Sequence, residues 1–506
     1  MILEFVADCL AACRKDLPRP GTDIIYQTGP PGRHRTAMSS GITEERKHPD
    51  SSLRELVTVA LPLMLSSGTQ SLMNATDRVM LAGCSEDALA AVTPASMLYW
   101  SVVCVPMGVV LYANTFISQY DGAGRQDRML SAFWQSCWLA IATGLLLLGL
   151  LPLTRPFLAI AGHTPAVAEF EAQYFNTLCA GSPVTLAAVA CSCWFSGQRR
   201  TKVVMLVSMQ AVIWNFAVDY LLVYGIGPFP ELGIRGAAIA TVSARCTELA
   251  CYLVLLHRDA RSKNLPLLTQ CRLDRDLLQR YLKFGLPNGL HFFVDNSGFA
   301  AFLMLVGRIS STALAATNIA FSINGLIFVP LLGFGTAIQT LVGHHMGAGR
   351  IADARRTTWQ AAGLGILWTG STGLLLVLFP QAALQPFFFF SADDGASIAP
   401  LAAQAQVLLQ FVAVYSAFDA LAVVFSSALR GAGDTVFPML LTFACSWIVM
   451  VLPAWYVTEY CDRQLKWLWL AASANIVIAG LLMVLRYRAG RWQSIKVIET
   501  SDSPAG

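Results

Sequence analysis

Two stretches of similar sequence decide the fold: QYDGAGRQDRMLSAFWQ at residues 119–135 and HHMGAGRIADARRTTWQ at residues 344–360. Both contain GAGR and both place Trp-Gln at the same distance beyond it, so that Gly122 and Gly347 are 225 residues apart. The same shift of 225 aligns residues 60–135 with 285–360 without a gap. GAGR lacks the spacing of a GxxxxGK[ST] phosphate loop. The chain therefore consists of two similar halves, and GAGR predicts one tight helix–helix turn in each.

Composition indicates a membrane protein. Of the 506 residues, 55% are hydrophobic and 13% are charged, whereas soluble domains carry about 25% charged residues. Many apolar runs approach the ~20 residues that cross a ~30 Å hydrocarbon core as a helix. The sequence predicts an all-α polytopic membrane protein, with about twelve transmembrane helices in two six-helix pseudo-symmetric lobes. A nucleic-acid partner is not expected, and the lipid bilayer is the predicted surrounding.

Breaks between apolar runs give the predicted domain boundaries. They are a disordered cytoplasmic arm over 1–50, an N-lobe over 51–257, a cytoplasmic inter-lobe loop over 258–279, a C-lobe over 280–490 and a cytoplasmic tail over 491–506. Met38 is an alternative start of translation. Because each half has an even number of helices, the halves enter the membrane from the same side and form parallel repeats.

The distribution of Lys and Arg predicts orientation, because short cytoplasmic loops are enriched in these residues. Basic residues gather in the arm, the tail, the inter-lobe loop and alternate loops, such as those containing Arg125, Arg200 and Arg350. We therefore expect a multi-pass protein of the inner (plasma) membrane with both termini in the cytoplasm.

Polar residues within apolar runs are the candidate functional residues, since a charge at the bilayer centre costs roughly 2.5–3.5 kcal/mol on insertion scales. Asn215 and Asp219 are four residues apart and share a helix face. Together with Asp77 in the first helix, they are suited to bind a proton or a hard cation. The alternative is a buried hydrogen-bond cluster that holds helices together. Arg245 and Glu248 are three residues apart and are expected to pair with each other.

Asp295 and Asp419 form the matching pair of the second half. Nearby aromatic residues are candidates to line a cleft for flat organic cations, although ordinary packing is the alternative: Phe292, Phe293, Tyr415 and Phe418. The sequence contains no Ser-His-Asp order, metal-ligand spacing or dinucleotide fingerprint. We therefore expect neither an enzyme nor a cofactor or bound metal, apart from a coupling ion.

Several motifs together resemble the multidrug and toxic compound extrusion (MATE) transporters over roughly residues 53–490. They include WNFAVDYLLVYGIG at 214–227, FGLPNGLHFFVDNSGFA at 284–300 and LRGAGDTVFPML at 429–440. The resemblance implies two six-helix lobes around a central cleft and export of drugs driven by protons or sodium ions.

The resemblance also implies roles for individual residues. Asp77, Asn215, Asp219 and Thr241 match the family's N-lobe site for a cation or proton. Asp295 matches a seventh-helix acid that is usually Glu, and Asp419 matches a tenth-helix Asp. Arg78 replaces a residue that is usually small and polar in the family.

These observations predict a monomeric antiporter that exports organic cations, drugs or a metabolite in exchange for H⁺, or for Na⁺, by alternating access. A lipid-linked sugar flippase of related architecture is one alternative, but it requires a cationic cleft. A non-transporting membrane sensor or scaffold is the other, and it would have no need of intramembrane acids.

Overall fold

The structure is a computed structural model that describes residues 53–159, 164–263, 266–267, 270–388, 395–461 and 464–499. Within these ranges it has twelve apolar helices long enough to cross a membrane and no strand, which confirms the predicted fold class. The predicted arm over 1–50 lies outside the described residues. The helices are α1 Leu53–Ala82, α2 Asp87–Gly122, α3 Gln126–Pro156, α4 Pro165–Gly197, α5 Thr201–Val223, α6 Ile234–Ser262, α7 Arg275–Gly307, α8 Ser311–Gly347, α9 Ile351–Leu378, α10 Pro400–Ala432, α11 Val436–Tyr460 and α12 Leu465–Arg488.

Some helices depart from regular geometry or from their predicted ends. A break at Tyr112 divides α2, and α11 contains a π-helical segment, Ala444–Val451. The predicted inter-lobe loop over 258–279 is shorter than expected, because α6 continues to Ser262 and α7 begins at Arg275. The first part of the tail is ordered against the helices, with a 3₁₀ turn over Arg491–Ser494.

The two GAGR turns pack directly against each other. A side chain at Gly122 would overlap the His344 carbonyl oxygen, and one at Gly347 would overlap the Gln119 carbonyl oxygen. Gly122 and Gly347 differ by 225 residues, as do Gln119 and His344. The two contacts are therefore the same contact made twice, as a two-fold axis between the lobes requires.

Buried hydrogen bonds between α2 and α8 repeat this symmetry. The Asn114 side-chain amide donates to the Thr340 hydroxyl over 2.7 Å, and the Gln339 amide donates to the Thr115 hydroxyl over 2.7 Å. Asn114 corresponds to Gln339 and Thr115 to Thr340 under the shift of 225. Each lobe thus contributes one amide and one hydroxyl to a self-complementary interface.

The hydrophobic core joins the lobes at only one end of the helix bundle. At the end that carries the GAGR turns, the GAGR end, one cluster includes Leu56 and Phe116 of the N-lobe with Ile338 and Leu429 of the C-lobe. Every other core cluster of the described residues lies within a single lobe. The lobes are therefore closed against each other at the GAGR end and have separate cores toward the opposite end.

Candidate functional site

Four helices of the N-lobe bring the predicted polar residues together away from the GAGR end. The Asp77 carboxylate of α1 accepts hydrogen bonds at Oδ2 from Tyr174 of α4 over 2.9 Å and from Thr241 of α6 over 3.2 Å. Asn215 of α5 donates to Thr241 over 3.5 Å. The side chains of Asp219 and Asp77 are neighbours. We call these five residues the N-lobe acid cluster.

The N-lobe acid cluster contains two buried carboxyl groups without a basic partner. Asp77 is 1% exposed and Asp219 is 0% exposed, and neither forms an ion pair with any of the described residues. Asp77 Oδ1, Asn215 Oδ1 and both carboxyl oxygens of Asp219 accept no hydrogen bond there. Two adjacent buried negative charges repel each other strongly, so this arrangement is suited to hold a proton or a small hard cation.

Two buried polar residues of α4 were not identified from the sequence. Tyr174 is buried and bonds Asp77 directly, and Glu171, one turn earlier in the same helix, is fully buried. Aromatic residues are frequent in buried helices, so Tyr174 gave no signal of its own. Glu171 was a usable signal, because a buried acid in a membrane helix is rare.

The C-lobe acids occupy a more accessible place. Asp419 of α10 is half-buried, and Asp295 of α7 is exposed. The two carboxylates are electrostatic neighbours. Both carboxyl groups are therefore more exposed than those of the N-lobe acid cluster.

Arg430 of α10 lies close to Asp295 and is held in place by several contacts. Its guanidinium group donates to the side-chain oxygen Oδ1 of Asn288 over 3.3 Å and to the Ser427 hydroxyl over 3.1 Å. It also lies 5.7 Å from the ring centroid of Phe292. A buried, hydrogen-bonded guanidinium group thus lies near Asp295.

The aromatic candidates divide into different environments. Phe292 and Phe418 are half-buried, and Tyr415 is buried one helical turn before Asp419. Phe293 is 41% exposed, and it lies two residues before Asp295. Because two residues correspond to a rotation of about 200° in an α-helix, Phe293 lies on the opposite face of α7 from Asp295.

The remaining polar candidates either pair with a neighbouring side chain or lie at the surface. Arg245 pairs with Glu248 over 2.7 Å, as predicted, and also contacts Gln70 of α1. Arg78 is exposed, whereas Asp77 beside it is buried. In the described part of the chain, no group of three or more His, Cys, Asp or Glu side chains is arranged to hold a metal ion.

These features define a class: a helical membrane protein of two symmetry-related lobes, with buried acids in one lobe and accessible acids in the other. The chain belongs to the MatE family, whose sequence profile matches residues 62–221 and 287–456. This confirms the family resemblance noted in the sequence.

Relatives of known sequence agree over most of the chain. It is 27% identical over 448 residues to a probable multidrug resistance protein NorM from Thermotoga maritima, covering 88% of this chain and 94% of the relative. It is 29% identical over 460 residues to a probable NorM from Bradyrhizobium diazoefficiens, covering 90% of this chain and 97% of that protein.

Solved structures show the same fold. A crystal structure of MATE in the bent conformation matches with a TM-score of 0.79 at 18% identity, covering 87% of this chain and 96% of that one. An outward-facing multidrug resistance MATE transporter of the MOP superfamily also matches with a TM-score of 0.79, at 19% identity, covering 87% of this chain and 97% of that one.

Proposed function

We propose that the protein is a multidrug efflux antiporter, which exports organic cations in exchange for H⁺, with Na⁺ as the alternative coupling ion. The observation that carries this proposal is the pair of buried acids, Asp77 and Asp219, in one of two symmetry-related lobes. In this mechanism the N-lobe acid cluster binds the coupling ion. The Asp295 and Asp419 carboxylates attract the cationic substrate.

The separation of the two acid pairs between lobes suits an indirect mechanism of coupling. A ligand shifts a conformational equilibrium by the difference between its affinities for the two states, and it need not touch the other ligand. Entry of a proton at the N-lobe acid cluster favours the state that releases substrate to the outside. Loss of that proton to the cytoplasm favours the state that binds substrate from the inside.

The positions of the charges support an orientation with the GAGR end in the cytoplasm. Basic side chains are concentrated at this end, where Arg199 pairs with Glu55 over 2.9 Å and Arg128 pairs with Asp274 over 2.8 Å. An even number of helices would then place both termini in the cytoplasm. In this orientation, the structure is closed to the cytoplasm, and we infer a monomer of the inner membrane.

The test uses everted membrane vesicles with an inside-acid pH gradient and a panel of aromatic organic cations. A pH-sensitive dye reports proton release from the vesicles, with and without Na⁺. We expect substrate-dependent proton release by the wild type and its loss, by tenfold or more (roughly 1.4 kcal/mol), in Asp77→Asn and Asp219→Asn. Asp87→Asn, an exposed acid at the start of α2, is the matched control.

Other outcomes would redirect the assignment. Substrate-driven Na⁺ movement without proton movement, dependent on Asp295 and Asp419, would place the coupling ion in the C-lobe. Full transport by a correctly folded Asp219→Asn variant would exclude the N-lobe acid cluster from coupling. Absence of both ion movements would favour a flippase or a non-transporting protein.

A further inference from the structure

The ordered part of the C-terminal tail connects the two lobes at the GAGR end. After α12, the chain turns at Gly490, which has a φ of +74°, and forms the 3₁₀ turn Arg491–Ser494. Trp492 stacks on Tyr487 at a centroid distance of 4.8 Å and donates to its carbonyl oxygen over 2.9 Å. These contacts fix the start of the tail to the C-lobe.

The next part of the tail is inserted into the C-lobe turn between α10 and α11. Val497 is 1% exposed. Together with Ile495, it fills the space above Gly433, where a side chain would have no room. Gly433 has a φ of +103°, a conformation that L side chains rarely adopt. Arg486 of α12 fixes the same turn through a 2.8 Å ion pair with Asp434.

Two residues further on, Glu499 contacts the N-lobe and the start of α7. Its carboxylate accepts a hydrogen bond from Tyr120 over 2.6 Å, pairs with Arg128 and lies 3.4 Å from Arg280. Its carbonyl oxygen accepts from Arg125 over 3.0 Å. The N-lobe GAGR turn is flanked by Tyr120 and Arg128 and ends at Arg125. Glu499 therefore lies near three arginines, Arg125, Arg128 and Arg280, where the two lobes meet.

The length of this segment makes the contact specific to the closed GAGR end. Two residues of extended chain span at most about 7 Å, so Glu499 cannot follow the N-lobe far while Val497 stays above Gly433. Opening of the GAGR end separates the α2–α3 turn from the C-lobe. Either the ion pairs of Glu499 with Arg125 and Arg128 or the Val497 packing must then break.

We propose that Ile495–Glu499 is a latch that holds the GAGR end closed and is released in each transport cycle, with Glu499 as its decisive positioning residue. This inference rests on the proposed alternating access of the lobes. The latch adds an ion-pair network to the closed state alone, so it sets the equilibrium between the closed and open conformations without contacting substrate.

The latch should operate throughout the physiological pH range. Burial tends to raise the pKa of Glu499, but the hydrogen bond from Tyr120 and the charge of Arg128 outweigh burial and leave the pKa below its ordinary value. The groups that face Glu499 are Tyr120, Arg125, Arg128 and Arg280. A lowered pKa means that the ion pairs are present above about pH 4.3 and are lost as the pH falls through the lowered value.

The experiment measures the distance between the lobes directly. Gln126 and Ile351 are exposed residues at the GAGR end and correspond to each other under the 225-residue shift. Spin labels on Gln126→Cys and Ile351→Cys, in a background without native cysteines, report the closed and open populations of the full-length protein in lipid nanodiscs. We expect Glu499→Gln to raise the open-to-closed ratio by about three- to tenfold. Truncation after Ser494 should raise it at least as much, and both effects should be equal at pH 6 and pH 8.

Glu459→Gln is the matched control, because it removes an ion pair with Arg308, 2.8 Å long, at the opposite end of the C-lobe. Its open-to-closed ratio should equal that of the wild type. Unchanged ratios in both Glu499→Gln and the truncation would overturn the latch. The measurement requires no substrate, so a shifted ratio in a protein that transports nothing would uphold the latch while refuting the antiport proposal.

Discussion

Gly122 and Gly347 are the described glycines with the least room for a side chain, and we predict that alanine at either position weakens the closed interface. Each glycine faces a backbone carbonyl of the other lobe, and a backbone cannot move aside as a flexible side chain can. Overpacking of this kind costs typically about 1–3 kcal/mol. Thermal unfolding of the purified protein in detergent should show a lower Tm for both variants, by similar amounts because the contacts are related by symmetry.

The control for this prediction is Gly370→Ala. Gly370 is a helical glycine of α9 with open space around the position of a Cβ atom. Alanine should be neutral or stabilising there, by up to ~1 kcal/mol from helix propensity. A normal Tm for Gly122→Ala and Gly347→Ala would mean that the lobes have more freedom to separate than their packing indicates.

At the scale of a single element, α7 has two faces with different expected roles. Phe292 lies beside Arg430, whereas Phe293 shares the opposite face with the exposed Leu286 and Met304. We predict that Phe292→Ala weakens binding of an aromatic cation by about two- to thirtyfold, the range of a cation–π contact. Phe293→Ala should leave it unchanged. Fluorescence titration of both variants with one dye checks this, and equal losses would contradict the assignment of the faces.

The sequence predicted whole elements better than side-chain environments. The twelve helices followed from apolar runs, and the two-fold packing followed from the GAGR repeat. Asp77, Asn215, Asp219 and Thr241 were predicted to meet, and they do so in the structure. Their functional role stays a prediction.

Other features depended on tertiary packing that the sequence does not encode locally. Helical periodicity places Phe292 and Phe293 on different faces of α7, but the neighbours of each face follow only from how α7 packs. The hydrogen bond of Tyr174 to Asp77 depends on the packing of α4 against α1, which the sequence does not specify. The contact of Glu499 with Arg128 joins residues 371 positions apart in a segment with no regular structure. No periodic pattern predicts such a contact.

For the whole molecule, the two-fold interface between α2 and α8 provides a way to test alternating access. If the lobes rock against each other, the buried bond between Asn114 and Thr340 exists only while the GAGR end is closed. We predict that Asn114→Cys combined with Thr340→Cys, in a background lacking the thirteen native cysteines, forms a disulfide under oxidation. The cross-linked protein should lose substrate transport and regain it on reduction, since the bond prevents the lobes from separating.

The matched control is a second cross-link that joins two helices of the same lobe. Ser66 of α1 and Ser208 of α5 are hydrogen-bonded over 2.9 Å within the N-lobe. If each lobe moves as a rigid body, a disulfide between Ser66→Cys and Ser208→Cys should leave transport nearly unchanged, because no motion occurs between these helices. Loss of transport with both cross-links would indicate that the helices of the N-lobe rearrange among themselves. Transport by the oxidised Asn114→Cys, Thr340→Cys protein would show that substrate crosses while the GAGR end stays closed, and rocking of the lobes would then be excluded.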